Sequence, residues 1–117
     1  MSNKPQPGAG DVIVTFEGKE VKLKPTLGAL QGVSRRSGGV SGAINKLSEV
    51  DFDTVCYVLA LGMDLTEKGA EGFEKRVFNE GIYKLVAPLV KYVTILANGG
   101  RPLDDSEGGT STANPTK

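Results

Sequence analysis

Few side chains in this 117-residue chain could do chemistry, and their spacing argues against catalysis. There is no histidine, which removes the commonest general base and the commonest metal ligand together. Carboxylates pair as Asp51 with Asp53 and as Asp104 with Asp105. The first pair flanks a helix start, where Asp acts as a cap, and the second lies in a polar C-terminal stretch, where solvation accounts for it. The one cysteine, Cys56, sits in the apolar run VCYVLALG. A nucleophilic thiolate needs an electropositive, partly exposed setting, so this thiol reads as packing. GAG at 8–10 and the Gly-Gly pairs fit no phosphate-binding spacing after a strand. No catalytic, cofactor-binding or metal-binding residue is assigned, and an enzyme is not expected.

Arg35 and Arg36 are the remaining pair, adjacent cations near the end of a predicted helix. There they complement the helix dipole, or they form a phosphate or partner site. With Lys46 they would make a small DNA-binding patch, but 14 Lys and Arg balance 14 Asp and Glu, so no basic field draws the chain to nucleic acid. No apolar run approaches the roughly 20 residues that span a bilayer, and MSNKPQPGAG has no signal-peptide pattern. A lone thiol with no intramolecular partner fits a reducing cytoplasm.

These residues must be positioned by a small α+β domain. Residues 1–10 read as a disordered lead, 11–98 as one domain and 99–117 as a disordered tail. VIVTF (12–16) alternates as a strand. Glu17, Gly18 and Lys19 turn the chain, and Val21 and Leu23 share a face of a second, antiparallel strand. Pro25 ends that strand, and Thr26 caps a helix over about 27–37 with Leu27, Leu30 and Val33 inward. Gly28 and Gly32 weaken this helix and are expected to admit another backbone, such as the hairpin; Gly38 and Gly39 end it. Ser41 caps a second helix. Asp51 caps a third, central one, which Gly62 stops. A fourth runs over about 67–79 with Ala70, Phe73, Val77 and Phe78. A fifth, over 82–97, is either kinked at Pro88 or split there. The expected architecture is an N-terminal antiparallel β-hairpin packed on a bundle of four to five short α-helices.

The stretch Leu23, Pro25, Thr26, Leu27, Gly28, Ala29, Leu30, followed by Gly38 and Gly39, resembles the tail assembly chaperone family of gene transfer agents and tailed phages, some of whose members are described as tail tube proteins. The resemblance covers roughly residues 11–98, and beyond Gly39 it is one of pattern more than of residues. It implies a non-enzymatic protein in the cytoplasm of a bacterial host that binds tape-measure and tail tube proteins during tail morphogenesis. A structural component retained in the particle is the alternative, and a small helical DNA-binding regulator is a third reading.

The core is expected to be Leu23, Leu27, Leu30, Phe52, Val55, Leu59, Phe73, Val77, Leu85, Leu89 and Val93. That leaves Val86, Val90, Tyr92 and Ile95 as surplus apolar surface. These four, with Arg35 and Arg36, are the expected partner-binding residues, for a tape-measure helix or a second copy of the chain.

Overall fold

Alternating apolar residues place Val12, Val14 and Phe16 on one face of β1 (Val12–Phe16), where they are buried, and leave Ile13 and Thr15 outside. β2 (Lys19–Leu23) pairs with it antiparallel, from Phe16 opposite Lys19 to Val12 opposite Leu23. The loop is therefore Glu17-Gly18. Both residues have positive φ, at 56° and 77°, the geometry of the primed turns whose twist matches that of the strands. The computed structural model describes residues 10–102. Most of the expected lead and tail, residues 1–9 and 103–117, lies outside the described residues.

Five helices follow the hairpin: α1 (Leu27–Ser37), α2 (Val40–Ser48), α3 (Phe52–Met63), α4 (Phe73–Glu80) and α5 (Tyr83–Ala97). The fold is the expected α+β arrangement of an N-terminal hairpin on a small helical bundle. Thr26 is the cap of α1, its Oγ1 accepting from the Ala29 N–H at 3.1 Å, and Asp51 Oδ2 caps α3 through the Thr54 N–H at 3.0 Å. α1 ends with Gly38 left-handed and the Gly39 N–H donating to the Ser34 carbonyl at 3.0 Å, a Schellman closure.

Several boundaries differ from the sequence reading. α2 begins at Val40, so Ser41 lies inside it and is not its cap. Gly62 does not stop α3; Asp64, left-handed at φ 56°, does. Gly62 is instead where β2 meets α3, because a Cβ there would stand 3.0 Å from Leu23 Cβ. The fourth helix starts six residues later than expected, at Phe73. Thr66 Oγ1 accepts from the Gly69 N–H at 3.0 Å, but it closes only a turn, since Gly69 and Gly72 interrupt propagation. α5 runs unbroken through Pro88. Burial of Leu85, Leu89, Tyr92 and Val93 along one element outweighs the roughly 3 kcal/mol that an interior proline costs.

The core joins the inward face of the hairpin to α3 and α5, which pack on each other and both on α1 and α2. Leu23, Val55, Leu59, Phe73, Val77, Leu85, Leu89 and Val93 are buried as expected, and Leu30 and Phe52 are half-buried. Leu27 is not a core residue. The inward line of α1 is Ala29, Val33 and Ser37, and Leu27, two residues and thus about 200° around the helix from Ala29, is 71% exposed. Phe78 and Ala70, expected to face inward from the fourth helix, are also exposed.

α4 is tied to the hairpin by the buried Phe16–Phe73 ring contact, with centroids 5.7 Å apart, and at the turn by charge. Arg76 makes a two-pronged ion pair with Glu17 at 2.7 and 3.0 Å and lies 5.6 Å from the ring centres of Phe16 and Phe73. Glu80 Oε1 accepts from the Glu17 N–H at 2.9 Å, and its other oxygen pairs with Lys84. A non-glycine residue is thus held left-handed by partners on both its backbone and its side chain.

Leu59→Ala is expected to lower stability by about 2 to 5 kcal/mol in denaturant titration, since no side-chain surface there reaches solvent; a loss below about 1 kcal/mol would show that α3 is not central. Hydrogen bonds from Arg76 to Glu17, from Lys84 to Glu80 and from Thr54 to Asp51 hold all three carboxyls below their ordinary values. Their contribution is then complete above the ordinary carboxylate range near about pH 4 and is lost as pH falls through the lower folded values. The thermal midpoint should drop on acidification below that range, and Glu17→Gln should flatten part of the drop. An acid limb identical in the two proteins would show that the Glu17 pair adds nothing to stability.

Candidate functional site

α1 and α3 lie antiparallel. Gly32 faces Leu61, whose Cδ2 would stand 2.9 Å from a Cβ at residue 32, and one helical turn away the Arg36 guanidinium lies 4.5 Å over the Tyr57 ring. Gly32 therefore admits α3, not the hairpin expected from the sequence. Gly28 faces open space, with nothing within 4 Å of where its Cβ would be. Residues 28, 32, 35 and 36 form one stripe of α1, and 57, 60, 61 and 64 form one stripe of α3.

Between these stripes runs a groove of about 560 Å³, closed on its third side by Leu65 and Ala70 of the turns that precede α4. A second hollow of about 450 Å³ shares Arg36, Tyr57, Ala60 and Ala70 with it and continues past Cys56 to Phe73. Gly32, Ala60 and Leu61 line the middle of the groove, with charge at the ends. Arg35 and Arg36 lie at the α1 C-terminal end, and Asp64 lies at the other. Among the described residues neither arginine forms an ion pair. The dipole reading of these arginines holds as far as their place in the last turn of α1, but the same place puts both on the groove wall.

Little in the groove is suited to bond making. Burial, with Glu74 and Asp53 nearby, pushes the Cys56 thiol up to about 11, so it remains protonated at neutral pH. Burial also raises the Tyr57 phenol. Its hydroxyl oxygen and that of Ser37 are buried without a hydrogen-bond partner among the described residues. Asp51 is committed to its cap, Asp53 is exposed on the first turn of α3, and Asp104 and Asp105 lie outside the described residues. No group of three metal-ligating side chains occurs among the described residues, and no described helix is long and apolar enough to cross a membrane.

The expected partner-binding residues separate into two sets. Arg35 and Arg36 line the groove, whereas Lys46, on the exposed side of α2, does not. Tyr92 and Ile95 are not surface residues. Tyr92 is fully buried and its hydroxyl donates to the Lys24 carbonyl at 2.7 Å, and Ile95 is 2% exposed. Val86 and Val90 are half-buried against the core. The sequence reading allotted α5 one buried face, but β1, α1, α2 and α3 all pack on it, so its second face is core as well. The surplus apolar surface lies elsewhere, at Leu27, Phe78 and Tyr83, which are 71%, 72% and 83% exposed. Tyr57, Ala60 and Leu65 were missed as groove residues. The available signal was the spacing of Gly28, Gly32 and Arg36 along one helix stripe, which marks an open side of α1 as readily as a close contact.

Comparisons with protein-family models, with curated proteins and with solved structures give no match.

An unpartnered buried hydroxyl costs about 1 to 3 kcal/mol, so Tyr57→Phe is expected to leave the thermal midpoint unchanged or to raise it while keeping the ring under Arg36. A clear fall in the midpoint would mean that the phenol is bonded in solution.

Proposed function

We propose that this protein is a non-enzymatic binding module, a tail assembly chaperone of the phage or gene transfer agent type that holds tape-measure or tail tube proteins in the cytoplasm of the host bacterium. The observation that carries the reading is the α1–α3 groove, lined by Gly32, Ala60 and Leu61 in its middle and bearing at one end two arginines that form no ion pair among the described residues. Thr26, Gly28 and Ala29, from the stretch that resembles that family, form part of its wall. A groove between helices suits an amphipathic helix, the recurring way in which helical segments are captured. Duplex DNA does not suit it, because Asp64 in the groove and Asp53 and Glu74 beside it would face the phosphates.

A second reading, a component retained in the tail, is favoured by the strongly exposed Phe78 and Tyr83, which a permanent neighbour would cover. Mass spectrometry of purified particles separates the two: absence supports the chaperone, and stoichiometric presence supports the structural component. For either, the tagged protein is expected to retain tape-measure or tail tube protein encoded in the same genome when the two are co-expressed. Failure to retain both, with normal tails formed when the gene is deleted, would remove the tail-assembly reading.

A further inference from the structure

We propose that the α1–α3 groove takes an acidic, amphipathic helix from a partner protein, laid parallel to α1, with the carboxylates of its last turn on Arg35 and Arg36 and its first turn toward Asp64. This rests on the reading of the groove as a docking site, and it adds the sign, the form and the direction of the occupant. Charge is separated within the groove itself; Asp53, Glu74 and Lys75 line the adjoining hollow that shares Arg36, so the site takes a few carboxylates placed on the arginines rather than an extended polyanion. The two arginines stand at the α1 C-terminal end, and Asp64, the left-handed residue that ends α3, stands at the opposite end. From Gly28 to Arg36 the wall is about 12 Å long, at 1.5 Å per residue. A helix of two to three turns therefore reaches from one pole to the other.

A helix carries partial positive charge at its N-terminus and partial negative charge at its C-terminus. The parallel orientation sets both ends against the opposite sign, and the reverse orientation sets both against like charge. Acidic residues in the last turn add to the match at Arg35 and Arg36. Arg36 is already held over the Tyr57 ring, so less side-chain freedom is lost when it meets a carboxylate. Between the poles Gly28 and Ala60 carry no bulk, so the occupant's backbone can come close and seat small apolar side chains against Leu61 and Tyr57. The space over Gly28 is open, which supplies a block: a Cβ there meets nothing within 4 Å, so a large side chain can be placed on the groove wall, at a helical position that glycine does not favour.

The test uses the full chain labelled with nitrogen-15 and synthetic helical peptides of about twelve residues, built from alanine, leucine and lysine or glutamate. One peptide carries three glutamates in its last turn, a second carries them in its first turn, and a third has lysines in place of the glutamates of the first. The first peptide should shift the amides of residues 28–36 and 57–65 saturably. The second should bind about tenfold more weakly, and the third should not bind. Gly28→Phe, folded by circular dichroism, and Arg35→Glu with Arg36→Glu should each abolish the shifts. Equal binding of the first two peptides, binding that survives Gly28→Phe, or no saturable shift up to about 1 mM would overturn the proposal. So would groove shifts that depend on protein concentration alone, which would make a second copy the occupant. Co-expression with tail proteins separates this inference from the functional reading. If Gly28→Phe retains them as well as the unmodified chain does, the groove is not their site and this inference falls, while the binding of tail proteins stands on another surface. If the unmodified chain retains none but binds the first peptide, the reading falls and the groove's chemistry stands.

Discussion

The backbone of Lys24 joins the two halves of this protein. It lies one residue past the last pair of the hairpin, so the ladder offers it nothing, and Pro25 follows with no N–H of its own. Its N–H donates to the Gly62 carbonyl of α3 at 3.2 Å, and its carbonyl accepts the Tyr92 hydroxyl of α5 at 2.7 Å. Two helices far apart in sequence thus satisfy the residue that follows the strand. The glycine at 62 allows Leu23 against α3 at this same point, and Thr26 starts α1 two residues later. The hairpin, the start of α1 and the two central helices are therefore referenced to the backbone of a single residue.

The groove follows from that arrangement. α1 leaves the junction with its Ala29–Val33 line inward, which turns Gly28 and Arg36 toward the side of α3 that carries Tyr57 and Ala60. Gly32 sets how close the two helices come. The third wall is held differently: α4 is anchored by Phe73 and Val77 below and by the Glu17, Arg76 and Glu80 contacts at the surface. Exposed ion pairs contribute modestly and weaken with salt. The turns at 64–72 adjoin that anchor, and none of their side chains is fully buried.

Asp51 serves a cap, Glu17 the turn clamp and Cys56 packing. The arginines at positions 35 and 36 form no ion pair among the described residues, and together with Asp64 they give the groove a direction.

By itself the sequence determined what local chemistry controls. The alternation through Val12, Val14 and Phe16, the glycine in the turn, the cap at Thr26 and the Gly-Gly closure of α1 depend on neighbours a few residues away. The hairpin, the α+β class and most of the core were legible for that reason. Arg35 and Arg36 could also be singled out as a pair, since adjacent cations at a helix end stand out in any register. Tertiary structure decided which faces are buried. Tyr92 and Ile95 read as surface on a helix with one inward face and are core on a helix packed by four elements, while Leu27 reads as core and is exposed because Ala29 sets the phase of α1. Gly62 reads as a stop and is a contact, because the residue it admits, Leu23, comes from another element. The groove itself could not be read from the chain: its walls lie more than twenty residues apart in sequence, and only the antiparallel docking of α1 on α3 brings Gly28, Arg36 and Tyr57 to one surface.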